Sequence, residues 1–332
     1  VGYAQIYPEV FAEERESTIA RYMDNARAGH FEESRDSDCD HDERNEDWQE
    51  GQCALPPHGE YPKGAWYTYL DLTCNYACMV TEYFYWALTA LLQAQSDNHR
   101  CNDIADEWVL CTNKQVKSRD PAIYTLLTDS QYALPTILPD GNYAPSPPSD
   151  SQDMPASAII EGLPSEWQFL SEVFSKYVNV FGVNIFATKD TPNSKVGHAS
   201  SVLAQYLDNN ADGTPDNPAV VNAMTQVNAS IIMVAWENDM ETVFKGVPER
   251  FHEMIDRGRL RVQDLYGEET DPHKAEGRFD ASLEEILHLI TSVGYAQTYP
   301  DVFGEEPGST IARYMDNARG GHFEERRDSD CD

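Results

Sequence analysis

Val293-Gly-Tyr-Ala-Gln-Thr-Tyr-Pro300 opens a forty-residue stretch that closes on Asp328-Ser-Asp-Cys331-Asp332. The chain begins in the same way, from Val1-Gly-Tyr-Ala-Gln-Ile-Tyr-Pro8 to Asp36-Ser-Asp-Cys39-Asp40. Thirty-three of the forty positions are identical, without a gap, at an offset of 292. The seven differences are mostly mild: Glu9 becomes Asp301, and Ala12 and Ala28 become Gly304 and Gly320. Self-similarity at a fixed spacing is the mark of a repeat architecture. The simplest reading is a head-to-tail array of large globular units, with this chain covering one period and a short overlap.

The period also orders the cysteines. Seven are present, but one period of 292 residues holds six: Cys39, Cys53, Cys74, Cys78, Cys101 and Cys111, with Cys331 the second copy of Cys39. An even number confined to residues 39–111 predicts three disulfides and an oxidising, extracellular compartment. Nearness in sequence suggests Cys39–Cys53, with Cys74 and Cys78 meeting Cys101 and Cys111, although spacing alone does not fix the pairing. Asn228-Ala-Ser230 is a glycosylation sequon and fits secretion.

The chain carries 57 acidic against 24 basic residues, a formal charge of −33. Such a field repels nucleic acid and anionic membranes and excludes both as partners. It suits a solvated surface and divalent cations. Ten acids crowd residues 32–50 around Cys39, and the alternation Asp36, Asp38, Asp40, Asp42 lacks the glycine that would shape a cation loop. The apolar run from Ala77 to Ala94 holds Glu82 and is flanked by cysteines and acids, which makes it a buried helix rather than a membrane span.

Residues 139–155, rich in Pro, Ser and Asp and without apolar periodicity, read as an exposed linker. A natural unit then starts near residue 156. Residues 1–138 form the disulfide-rich C-terminal half of one unit, and residues 156–332 the first half of the next. The expected fold class is α+β, predominantly α-helical. Helices are predicted over 17–27, 77–94, 121–133, 165–177, 195–207 and 283–291, and extended segments over 178–187 and 227–235.

Two segments carry chemistry. Asp208, Asn210, Asp212, Thr214 and Asp216, with Gly213 at the sixth position, supply oxygens at the spacing of a loop wrapped around a hard cation. Over these ten residues the segment resembles the calcium loops of dockerins and thrombospondin type 3 repeats, which implies bound Ca2+. It departs from the EF-hand where Ala219 stands in place of the closing glutamate.

The second segment is Glu284-Glu285-Ile286-Leu287-His288. On a helix, Glu284 and His288 share a face and could grip Zn2+. The five residues resemble the zincin helix His-Glu-x-x-His with the first His replaced by Glu, which implies that Glu285 takes the place of the general base. Glu82, a carboxylate inside an apolar helix, needs a partner and offers a third ligand, with His198 a fourth. A structural account competes: Ser282-Leu-Glu-Glu285 has the form of a capping box, which would give Glu285 a purely local task.

These readings lead first to a structural subunit of an extracellular tandem-repeat fibre or adhesive matrix. It would be calcium-stabilised and partnered by neighbouring copies of itself, because near-identical units joined by linkers serve extension and multivalency. The alternatives are a zincin-like metallohydrolase in tandem copies, and a carbohydrate- or surface-binding module that uses the 18 Tyr and 6 Trp to stack on glycans.

Overall fold

The computed structural model describes residues 55–56, 60–71, 73–74, 76–145, 159–270 and 279–321. The first copy of the repeated stretch, Cys39, Cys53, the acidic run 32–50 and the predicted helix 17–27 lie outside them.

The fold is mixed α/β, helix-rich around one sheet. Ten helices are used below: α1 (Tyr76–Leu91), α2 (Asn98–Asp103), α3 (Asn113–Arg119), α4 (Pro121–Leu127), α5 (Asn193–Leu207), α6 (Pro218–Gln226), α7 (Met240–Gly246), α8 (Glu249–Asp256), α9 (Ser282–Leu289) and α10 (Thr310–Arg319). The strands are β1 (Ile160–Glu161), β2 (Lys176–Val180), β3 (Val183–Ala187), β4 (Ser230–Val234) and β5 (Val262–Tyr266), side by side in chain order. β1, β2 and β3 are antiparallel neighbours, whereas β3, β4 and β5 run parallel.

The reversal from antiparallel to parallel follows from the connections. β2 and β3 are joined by a two-residue turn, Phe181-Gly182, both at positive φ (50° and 93°), which suits a tight hairpin. The parallel steps need crossovers, and these carry α5 and α6, then α7 and α8. β3 and β4 are buried along their whole length, in keeping with apolar runs covered on both faces. Alternation divides β4 between two cores. Ile231 and Met233 face the larger one, and Ile232 and Val234 face a smaller one built around Trp167, Phe174, Phe186 and Phe251.

The larger core gathers α1, α5, α6, α9 and α10 on one face of the sheet. α1 is apolar nearly all round, with Tyr83, Phe84, Tyr85, Trp86, Ala87 and Leu88 each at most 3 % exposed, so it threads the core instead of lying on it. Among the described residues no helix is long and apolar enough to cross a membrane. Residues 293–321, the second copy of the repeat, are part of this core: Tyr295, Phe303, Ile311, Met315 and Arg319 are buried.

Several boundaries differ from those the sequence suggests. The helix expected over 165–177 is a 3-10 turn, Ser165–Leu170, after which the chain enters β2. The helix expected over 121–133 stops at Leu127, because Thr128 leaves the helical region and a 3-10 turn follows. β5, α7 and α8 were not anticipated. Among the described residues two disulfides are present, and they correct the expected pairing: Cys74 joins Cys78, and Cys101 joins Cys111. Cys74 and Cys78 meet one turn apart at the start of α1, while Cys101 on α2 lies within reach of Cys111 just before α3. Of the stretch read as a linker, residues 139–145 are docked: the Asp140 and Gly141 amides donate to Gln205 Oε1 at 3.1 and 2.9 Å.

Candidate metal centre

α9 exists because Leu283, Ile286, Leu287 and Leu289 are buried on faces that meet α1, α5 and β5. Its start departs from the expected capping box. Asp280, not Ser282, supplies the cap: its Oδ1 accepts from the Ser282 amide at 3.2 Å and from the Ser282 hydroxyl at 2.6 Å. Glu285 is thereby free of the local task. Its Oε2 accepts instead from Gln263 Nε2 on β5, at 2.6 Å.

Glu284 and His288, one turn apart on α9, face Glu82 on α1. His288 Nε2 lies 3.4 Å from Glu82 Oε1 and 3.9 Å from Glu284 Oε1. One donor atom from each residue falls within 4.8 Å of the other two, and no other group of three His, Cys, Asp or Glu does so among the described residues. Ligand atoms about 2.0–2.2 Å from a tetrahedral ion stand about 3.3–3.6 Å from one another. The three side chains therefore need only small adjustments to close around one. The second oxygen of Glu82 is buried and has no hydrogen-bond partner among the described residues. Leaving a carboxylate oxygen dry and unpaired is costly, so this atom fits a cation rather than a closed structural network.

The electrostatics agree with a tightly coupled site. Burial pushes Glu82 up to about 7, with the His288 imidazolium opposing and the Glu284, Glu107 and Asp71 carboxylates adding to the rise. Burial also pushes Glu285 up to about 8, again opposed by His288 and reinforced by Glu284, Asp264 and Glu82. For His288 burial works the other way, yet the Glu82 charge and the hydrogen bond and charge of Glu284 outweigh it and hold the ring at about 9. Without metal, near pH 7, an imidazolium thus sits where the cation would go.

A further set of contacts fixes the ligands. Burial, with the neighbouring Glu284 carboxylate adding to it, keeps the Tyr85 phenol protonated well above its ordinary range. Gln95 Nε2 donates to the Tyr85 oxygen at 3.4 Å, and Arg100 Nε donates to Gln95 Oε1 at 3.0 Å. The Tyr85 ring also lies against His288, centroids 5.4 Å apart. The sequence reading missed this chain of contacts. Its signal was available in Tyr85, one turn beyond Glu82 inside an apolar helix, since a buried phenol needs a partner.

Other expected site residues fall elsewhere. His198 does not join Glu82, Glu284 and His288, which corrects the fourth-ligand expectation. It faces the far end of α9, where its Nε2 pairs with Asp280 Oδ2 at 2.5 Å in a buried contact. In the predicted calcium loop the acceptors close on the loop itself. Asp208 takes the amides of Asp212 and Gly213 at 3.1 and 2.7 Å together with the Tyr143 hydroxyl. Asn210 and Asp212 accept from the amides of Asp212 and Thr214, and Asp216 takes the Asn209 amide at 2.7 Å. The Asp208, Asp212 and Asp216 carboxylates do not converge as a set of three. Asn228 Nδ2, the atom of the sequon that would carry sugar, donates to the Arg259 carbonyl at 2.9 Å, and Ser230 is buried in β4.

Comparison with family models, with curated proteins and with solved structures finds no match for this chain.

Proposed function

We propose that the chain is a secreted, metal-dependent hydrolase domain, with a zinc-class divalent ion held by Glu82, Glu284 and His288. Glu285 would serve as the acid–base group beside it. The observation that carries this reading is the convergence of one donor atom each from Glu82, Glu284 and His288 within 4.8 Å, with Glu82 Oε1 facing the histidine and its other oxygen, Oε2, buried and unpaired among the described residues. A bound ion would polarise the carbonyl of an amide or ester substrate as a Lewis acid. Glu285 is buried, aimed by Gln263 and held near 8, which suits a group that takes up and returns a proton at neutral pH. Tyr85, backed by Gln95 and Arg100, keeps Glu284 oriented, as the surroundings of metal ligands commonly do. The donor set is richer in carboxylate than that of most zincs, so manganese is the competitor to test.

Elemental analysis of the full chain after zinc loading and gel filtration tests the reading. One zinc per chain is expected, and Glu82→Gln and His288→Ala chains should carry none. Glu285→Gln should keep the metal and lose hydrolysis. Equal metal in all four proteins would overturn the assignment.

The duplicated forty residues favour a second reading, compatible with the first, in which such units are strung head to tail outside the cell. The two disulfides suit that compartment. In the array the 208–216 loop would open its Asx contacts to take Ca2+, which is millimolar there. Electron microscopy of native material should show beaded filaments, and dispersed single particles would count against the array.

A further inference from the structure

We infer that the socket holding residues 293–321 is specific for the glycine-bearing copy of the repeated stretch and rejects the other copy, residues 1–29. The inference is independent of the metal centre. The aromatic and arginine side chains that the socket grips are common to both copies; Thr298, which is Ile6 in the other copy, adds only a long contact to the Ala219 carbonyl at 3.4 Å. Tyr295 bonds the Tyr132 and Ala133 carbonyls at 3.1 Å, and its ring packs with Phe84 and Phe303. Tyr299 and Phe303 meet Tyr132 edge-on, and Arg319 is fully buried against Met79 and Asp316. Their counterparts, Tyr3, Tyr7, Phe11 and Arg27, are the same residues. The chemistry of the buried anchoring side chains therefore does not tell the copies apart.

The backbone does. Three of the seven differences are glycines in the seated copy: Gly304, Gly308 and Gly320, against Ala12, Glu16 and Ala28. Gly308 and Gly320 sit at φ +99° and +80°, where an L side chain is disfavoured. Gly320 ends α10 in the left-handed conformation, and a Cβ there would lie 3.0 Å from Cβ of Pro62 on the opposite wall. A Cβ at Gly304 would stand 2.3 Å from the Pro300 carbonyl oxygen, a contact that requires the end of that short helix to shift. Of the other differences, Thr298 and Asp301 lie on partly exposed or exposed positions that an isoleucine or glutamate can share. Glycine placement thus encodes which of two otherwise equivalent segments closes the fold. In any head-to-tail chain or exchanged dimer the occupant of this socket would be a segment with glycine at these three positions.

Hydrogen exchange read by mass spectrometry on the full chain tests this, using peptic fragments that include the 15/307 or 28/320 difference so that the copies separate by mass. In the native chain the α10 amides should exchange roughly tenfold or more slowly than those of residues 18–27. Exchanging the glycines between copies (Ala12→Gly, Glu16→Gly, Ala28→Gly with Gly304→Ala, Gly308→Glu, Gly320→Ala) should lower α10 protection roughly a hundredfold and raise that of 18–27. The gain-only chain, with Ala12→Gly, Glu16→Gly and Ala28→Gly, leaves the seated copy intact and is expected to fold. In it the two copies should share the protection. Equal protection in the native chain, or an unchanged pattern in the gain-only chain, would overturn the inference.

Discussion

Replacing Glu285 by glutamine should stabilise the metal-free protein at high pH while abolishing its chemistry. Glu285 is raised from an ordinary carboxylate value of 4.5 to about 8 by burial. The folded state therefore holds a proton that the unfolded chain releases, and stability falls as pH rises through that window. At about 1.36 kcal/mol per unit the shift corresponds to roughly 5 kcal/mol as an upper bound. Sharing of charge with His288 and Glu82 reduces it, and about 2–4 kcal/mol is the expected effect. Glutamine does not titrate and can still accept from Gln263. The difference between Glu285→Gln and the native chain should thus be near zero at pH 4 and complete by pH 9. Guanidinium unfolding with chelator present and disulfides intact, at both pH values, measures it. A glutamine chain equally offset at both pH values, or less stable at pH 9, would refute the argument that Glu285 is buried against its ionisation.

Other consequences follow from the same geometry. Zinc must displace the proton on His288, held at about 9, so binding at pH 7.5 should release about one proton; calorimetry in buffers of different ionisation enthalpy reads this, and no buffer dependence would contradict it. Tyr85→Phe removes the buried hydroxyl beside Glu284 and should weaken zinc about tenfold without unfolding the chain, measured by competition with a chromophoric chelator. Replacing Cys74 and Cys78 by serine opens a short loop, costing about 2 kcal/mol of stability and loosening the turn of α1 that precedes Glu82. Millimolar calcium should raise the melting temperature of the native chain and not that of Asp212→Ala, if the 208–216 loop takes the ion.

How much of this was legible in the sequence depended on whether the decisive contact was local. α1 and α9 were readable because long apolar periodicity survives any tertiary context, and with them came Glu82, Glu284 and His288. A carboxylate amid Tyr, Phe and Trp signals its own need of a partner. β5 escaped notice because Val262-Gln-Asp-Leu-Tyr266 is an edge strand with only Leu265 buried, and its polar residues face α9 and solvent. The capping box at Ser282 was a sound local inference, but Asp280 outcompeted it two residues earlier, and Gln263 from a distant strand claimed Glu285. His198 shared the right helix region but not the right end of α9. The disulfides failed for a related reason: sequence spacing favoured a joint cluster, whereas α1 and α2 each bring their own cysteines to a near neighbour.

What sits between α1 and α9 decides whether this is a metal centre. Crystals of the full chain grown with zinc, measured above and below its absorption edge, would locate the ion directly. One anomalous peak within coordination distance of Glu82, Glu284 and His288 Nε2 is the predicted result. Zinc found only elsewhere, with His288 still paired to both carboxylates, would contradict it.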